Sequence, residues 1–402
     1  MRGREVTARS EPAGSPAEVF AVFLKLGLTS FGGPIAHLGY YRDELVVRRK
    51  WIDEAGYADL VALCQFLPGP ASSQTGFSLG LLRAGPLGAL AAWTAFTLPS
   101  ALAMVLFAFG AAVFEGPAGG GALHGLKVVA VAVVAQAVWG MARTLCPDRR
   151  RGSIALAAVL IVVFAGSSAG QIAAIAAGGL AGLWLCRDGA GAAVGRLRFP
   201  VSRRAGATLL AAFLALLVLL PGLRAAFPSQ ELAMFDSFYR AGSLVFGGGH
   251  VVLPLLEAEV VRTGWMGRDA FLAGYGAAQA VPGPLFTFAA YLGAVMSGLA
   301  GAAICLAALF LPGLLLVAGA LPFWDTLRTR PRAQAAMRGA NAAVVGILGA
   351  ALYDPLWTTA IRDPRDFALA LTGFVLLTAW KVPSWMVVLL LAAGGAGLAL
   401  WG

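Results

Sequence analysis

The chain has 402 residues, of which 59% are hydrophobic and only 12% charged, with a formal charge of +10 at pH 7. A soluble domain carries roughly twice that charged fraction, so the composition excludes a water-bathed globular enzyme and indicates an integral membrane protein. The basic excess does not mark a nucleic-acid partner, because no basic stretch alternates with exposed aromatics. The arginines gather between apolar segments, as in cytoplasmic loops.

Residues 1–16 are polar, with Arg2, Arg4 and Arg9 but no apolar h-region, so this tail is expected to stay inside rather than act as a secretory signal. Six apolar units follow, at about 18–41, 56–80, 86–114, 122–145, 153–165 and 170–186. A matching six occupy about 236–256, 270–293, 297–321, 339–357, 366–380 and 383–401. The match extends to the residues. Phe23-Leu24-Lys25-Leu26-Gly27 leading to Phe31-Gly32-Gly33 returns 215 residues later as Phe238-Tyr239-Arg240-Ala241-Gly242 leading to Phe246-Gly247-Gly248. Gln65 with Pro68-Gly69-Pro70 returns as Gln279 with Pro282-Gly283-Pro284, and Trp51 as Trp265, each 214 residues on. This is a whole-domain duplication.

An unpaired apolar segment at about 205–223 lies between the copies, and one added crossing turns the second copy upside down relative to the first. Loop charges test the inversion. The loop after the fourth unit carries Arg143, Arg149, Arg150 and Arg151 in the first copy, while its counterpart mixes Arg362 and Arg365 with Asp354, Asp363 and Asp366. The loop before the fourth unit reverses this, with Glu115 in the first copy against Arg328, Arg330, Arg332 and Arg338 in the second. By the positive-inside rule the copies are inverted. The fold class is therefore an all-α polytopic membrane protein with two inverted repeats of about six apolar segments. The division is a cytoplasmic tail at 1–17, a first repeat at 18–186, a basic loop and linker helix at 187–230 and a second repeat at 231–402, with the C-terminus outside. Arg42, Arg48, Arg49 and Lys50 conflict with full crossing of the first two units; re-entrant hairpins would remove the conflict.

Backbone without helical hydrogen bonds is tolerated at membrane depth only where protein or a water-filled cavity satisfies it, so paired breakers point to a transporter's site. Four fall at corresponding positions: Phe31-Gly32-Gly33-Pro34, Phe246-Gly247-Gly248-Gly249, Pro68-Gly69-Pro70 and Pro282-Gly283-Pro284. Half-helices starting there present free N–H groups and a positive dipole end, which suit an anion. Lys25 and Arg240 are matched cations in apolar stretches beside these breaks, and intramembrane charges are costly unless functional. Gln65 and Gln279 could hold substrate or satisfy the broken backbone. Glu44, Glu259, His37 and His250 are candidates for proton coupling, with solvated loop charges and packing as the alternative reading. Cys64, Cys146, Cys186 and Cys305 have neither disulfide nor metal spacing, and no metal or cofactor is expected.

Phe31-Gly32-Gly33-Pro34-Ile35-Ala36-His37, Glu44-Leu45-Val46, Trp51, Pro68-Gly69-Pro70, Phe246-Gly247-Gly248-Gly249-His250 and Pro282-Gly283-Pro284 together resemble the chromate ion transporter family, in its long two-domain form. The resemblance covers roughly residues 18–360. It implies a bacterial or archaeal inner-membrane protein that exports chromate, with proton coupling as the family-level expectation. Sulfate or another oxyanion is the alternative cargo, with import as the alternative direction. A membrane-embedded enzyme is disfavoured, since no nucleophile set or phosphate-cradling loop appears. The implied partners are the inorganic oxyanion, protons and the bilayer. The oligomeric state stays open, a homodimer included.

Overall fold

The computed structural model describes residues 14–110, 116–165, 168–187 and 199–401. The tail before residue 14, Glu115, and Arg196 and Arg198 of the central loop lie outside the described residues. The regular elements among them are all helical, with no strand.

Helix α1 (Pro16–Thr29) starts where the Ser15 hydroxyl accepts the Glu18 N–H and proline occupies the first turn. It stops at Ser30. Gly32 and Gly33, at φ +99° and +77°, then turn the chain back into α2 (Gly33–Tyr41) and a π-helical segment (Arg42–Arg48). The return is complete: the Phe23 and Tyr41 rings lie 5.5 Å apart, and Arg49 ends 3.9 Å from Glu18. Helix α3 (Glu54–Phe66) breaks at Leu67–Pro70 and its chain returns as the first leg of α4 (Ala71–Gly110), bringing Arg83 within 3.2 Å of the same Glu18. Units one and two thus each fold back as a hairpin, which returns Arg42, Arg48 and Arg49 to the end where α1 begins.

The boundary expected between units two and three shrinks to a two-residue turn. Ala84 and Gly85 leave helical geometry inside α4, and the two legs then pack so tightly that a Cβ on Gly80 would lie 2.4 Å from the Gly88 carbonyl oxygen. Three further helices complete the copy: α5 (Pro117–Leu145), α6 (Arg149–Ala165) and α7 (Ser168–Leu185). The linker forms α8 (Arg203–Ala226), three residues longer at its end than the apolar run suggests.

The second copy repeats these devices. Helix α9 (Gln230–Ser243) breaks at Gly247–Gly248, and the chain returns through a 3-10 turn (Gly249–Val251), α10 (Val252–Leu256) and a π-helical segment (Glu257–Val261). Helix α11 (Arg268–Ala278) breaks at the second Pro-Gly-Pro and is followed by α12 (Phe288–Ala320), whose own turn at Ser297–Gly298 lays Gly293 on Gly301. The short α13 (Trp324–Leu327), then α14 (Pro331–Ala351), α15 (Thr358–Ala360), α16 (Pro364–Thr378) and α17 (Ser384–Trp401) finish the chain. Among the described residues, six helices are long and apolar enough to cross a membrane. Leu98, Leu102 and Leu106 form an exposed stripe at helical spacing on the second leg of α4, a face suited to lipid rather than water.

Close backbone approach through glycine holds the layers together. A Cβ on Gly276 of α11 would sit 2.1 Å from the Leu126 carbonyl oxygen of α5, whereas one on Gly349 of α14 would meet open space. Gly276→Val should therefore destabilise the fold by about 1–3 kcal/mol or more, as overpacking does, while Gly349→Ala should be neutral or slightly stabilising. Thermal unfolding of the detergent-solubilised protein checks the contrast.

Candidate functional site

The four breaks meet. The Gly69 N–H donates to the Val245 carbonyl at 2.7 Å, and the Gly283 N–H donates to the Ser30 carbonyl at 2.9 Å. Ser30 and Val245 are counterparts, as are Gly69 and Gly283, so each repeat's Pro-Gly-Pro caps the Gly-rich break of the other. The exchange has a pseudo-twofold axis. Near that axis a Cβ on Gly249 would lie 3.6 Å from Pro34, its own counterpart, and 4.0 Å from Leu285. Each break is followed by the first turn of a returning helix: α2, the first leg of α4, and the 3-10 turns at Gly249–Val251 and Leu285–Thr287. Two polypeptide halves thus bring the N-terminal ends of four helical segments to one place, an arrangement that favours negative charge.

Both central glycines have backbones that disfavour a side chain. Gly69 has φ +123° and Gly283 φ +101°. Space is also short, since a Cβ would lie 3.0 Å from Gly313 Cα in the first case and 2.8 Å from Ser100 Oγ in the second. Gln74, which sequence reasoning passes over, bridges the halves: its amide donates to the Pro68 carbonyl at 2.9 Å and to the Gly313 carbonyl at 3.0 Å. Its position, four residues after a Pro-Gly-Pro, was the available signal.

The matched cations sit farther back along α1 and α9, each on its matched carboxylate. Lys25 Nζ is 3.7 Å from Glu44, and Arg240 is 3.3 Å from Glu259. The surroundings differ. Glu44 also receives Arg48 at 3.1 Å and Arg49 at 2.7 Å, whereas Arg240 must additionally serve Asp236 at 3.0 Å, a carboxylate only 1% exposed. Asp236 is a second residue missed in the sequence; it lies one turn before Arg240, a helical pairing distance. A cavity of about 170 Å³ opens beside Arg240 and Glu259, lined also by Gln171 and Leu255.

The remaining candidates separate. His37 is buried with Nδ1 3.3 Å from the Ser72 hydroxyl and its ring edge-on to Phe96; His250 Nδ1 lies 2.8 Å from the Tyr275 hydroxyl. The Phe31 ring lies 5.9 Å from that of Trp385 of α17, tilted by 47°, and Phe246 packs on the larger apolar core. Gln279 is half-buried with its amide nitrogen unpartnered, while its counterpart Gln65 is exposed on the last turn of α3. The two glutamines are therefore not equivalent.

Two repeats, paired broken helices and helix N-termini gathered at one centre define a polytopic α-helical membrane transporter, not an enzyme. The family model described as chromate transporter matches residues 17–183 and again residues 232–398. The chain belongs to the chromate transporter family. It is 33% identical over 96% of its length to a chromate transport protein of Pseudomonas aeruginosa, covering 92% of that protein. It is 29% identical to a probable chromate transport protein of Synechococcus elongatus with both chains fully covered, and 27% identical over 93% of its length to the chromate transport protein of Cupriavidus metallidurans, covering 91% of it. No solved structure shows a significant match to the chain.

Proposed function

We propose that the protein exports chromate, or a closely related tetrahedral oxyanion, from the cytoplasm across the inner membrane. The observation that carries this reading is the reciprocal bonding of Gly69 to Val245 and Gly283 to Ser30, which gathers four helical N-terminal ends into one anion cradle. The cradle is made of Phe31, Gly32, Gly33, Pro68, Gly69 and Pro70 with their counterparts Phe246, Gly247, Gly248, Pro282, Gly283 and Pro284, and Gln65 and Gln279 stand at its margins. Lys25 and Arg240 supply the cations. Each is paired with a carboxylate at rest, so holding an anion requires it to exchange Glu44 or Glu259 for the substrate.

Rocking of one repeat against the other about the pseudo-twofold axis would expose the cradle to each side in turn. The N-terminus lies inside and the C-terminus outside in this reading. Export is electrically downhill: at about 2.3 kcal/mol per charge per 100 mV, a dianion gains about 4.6 kcal/mol on leaving a negative interior. Proton coupling would run through Glu44, Glu259, His37 or His250. Proteoliposomes loaded with chromate, sulfate or molybdate, with and without a pH gradient, test the reading. Chromate should leave faster under an inside-negative potential and respond to the gradient; movement of none of the three anions would refute it.

A further inference from the structure

The two junctions of the cradle match in backbone but differ in chemistry. Around Ser30–Gly283 stand His37, Ser72, Ser73, Thr97 and Ser100, and none of these six-residue surroundings, Ser30 included, is more than 3% exposed. Contacts link them. His37 Nδ1 lies 3.3 Å from Ser72 Oγ and its ring meets Phe96 edge-on, while Ser100 Oγ and the Phe96 carbonyl oxygen lie 2.8 and 3.2 Å from where a Cβ on Gly283 would sit.

Around Gly69–Val245 the counterparts are Val252, Phe286, Thr287, Phe310 and Gly313. They follow the 215-residue spacing of the first break, the 214 of the Pro-Gly-Pro, and the 213 that relates the α4 turn at Gly85 to the α12 turn at Gly298. This junction is apolar. The Phe286 and Phe310 rings fill it, 5.4 Å apart, where the first copy has the small hydroxyl side chains of Ser72 and Thr97.

The polar junction is also unsatisfied. Ser30 Oγ, His37 Nε2, Ser73 Oγ and Thr97 Oγ1 are buried with no hydrogen-bond partner, whereas Thr287, the counterpart of Ser73, donates to the Pro284 carbonyl at 2.8 Å. Buried polar groups are normally paired, so four orphans at one junction point to a ligand that pairs them. Ser72 and Ser73 belong to the first turn of α4, and proline at position 70 offers no side-chain acceptor to the N–H groups of that turn. The sign of the ligand follows. Free N–H groups and a positive dipole end favour an anion, and no carboxylate is among these residues to hold a cation.

We propose that the oxyanion is bound to one side of the pseudo-twofold axis, at the Ser30–Gly283 junction, by the first turn of α4 and the side chains of Ser30, His37, Ser72, Ser73 and Thr97. Withdrawal of the Gly283 loop admits the ion, and neutral donors then hold it. The inference rests on the transport reading above and narrows its cradle to one junction. Equilibrium dialysis of chromate against the full chain in phosphatidylcholine nanodiscs tests it without transport. Ser72→Ala and Thr97→Val should each weaken binding about tenfold, as loss of a hydrogen bond to a charged group does. Phe310→Leu, at the apolar junction, should change binding per folded protein less than twofold. Melting separates a binding role from a structural one: Thr97→Val removes an unpaired hydroxyl, so its Tm should be unchanged or higher. Unchanged chromate binding in both hydroxyl variants would overturn the site. So would an equal loss in Phe310→Leu, or a fall in Tm that accompanies the weaker binding of Thr97→Val. Chromate binding that is lost in Thr97→Val, in a protein that moves no oxyanion, would instead sink the transport reading alone.

Discussion

Arg240→Ala should abolish chromate transport and lower the thermal stability of the purified protein, whereas Lys25→Ala should leave a folded protein with substantial residual transport. The two cations are counterparts in sequence, but their carboxylates are not equally provided for. Removing Lys25 takes the most distant of three cations from Glu44, which keeps Arg49 at 2.7 Å and Arg48 at 3.1 Å. That side chain is also 58% exposed, and exposed pairs contribute only about 0–1 kcal/mol. Removing Arg240 leaves Glu259 with no ion pair among the described residues and Asp236 with Arg224 alone, at 3.4 Å. Asp236 is buried, and stripping a partner from a buried ion pair typically costs about 3–5 kcal/mol. The charge assignment has its own control: Asp236→Asn in the Arg240→Ala background should recover stability, since it removes the stranded charge. It should not recover transport if Arg240 also holds the anion. Growth on chromate, vesicle transport and melting of the detergent-solubilised protein separate these outcomes. Equal losses in Lys25→Ala and Arg240→Ala would show that the surroundings do not set their roles.

That asymmetry marks the limit of what the sequence alone can convey. Duplication and the four breaks were legible, because each depends on residue types at fixed spacing: glycine where φ turns positive and proline where a helix must stop. The Lys25–Glu44 and Arg240–Glu259 pairs were visible as four matched positions but not as two contacts, since 19 residues separate each pair in the chain and only the hairpin return brings them together. Asp59 and Asp269 were unreadable for the same reason, whereas Asp236 stands only one turn from Arg240 and was overlooked. Asp59 of α3 binds Arg328 at 2.8 Å from the opposite repeat, and Asp269 binds Lys127, so their partners lie far away in sequence. The hairpin course of the first two units was foreshadowed by the misplaced Arg42 and Arg48. What the charges could not reveal was which break would meet which.

The pairing of breaks makes a second large effect expected: Gly69→Ala and Gly283→Ala should each reduce transport by about 30-fold or more while the protein still reaches the membrane. Two costs combine. At φ +123° and +101° an L-residue pays conformational strain of order 1–3 kcal/mol. The new methyl group also meets Gly313 Cα at 3.0 Å in one case and Ser100 Oγ at 2.8 Å in the other. Relief requires the Pro-Gly-Pro loop to withdraw, and withdrawal lengthens the Gly69–Val245 or Gly283–Ser30 hydrogen bond that joins the repeats. A 30-fold loss corresponds to about 2 kcal/mol, within the strain alone. Because the contacts are reciprocal, the two substitutions act on one structure from opposite sides of the axis. Their combined effect should therefore fall short of additivity, as coupled sites do. Gly33→Ala is the informative comparison: φ is +77°, but a Cβ there meets nothing within 4 Å. It isolates strain from contact, and should cost less than either central glycine. Vesicle transport rates for the three single variants and the double variant, normalised to membrane-inserted protein, decide the matter. Full additivity at Gly69 and Gly283 would mean that the two breaks work as separate sites rather than as one cradle.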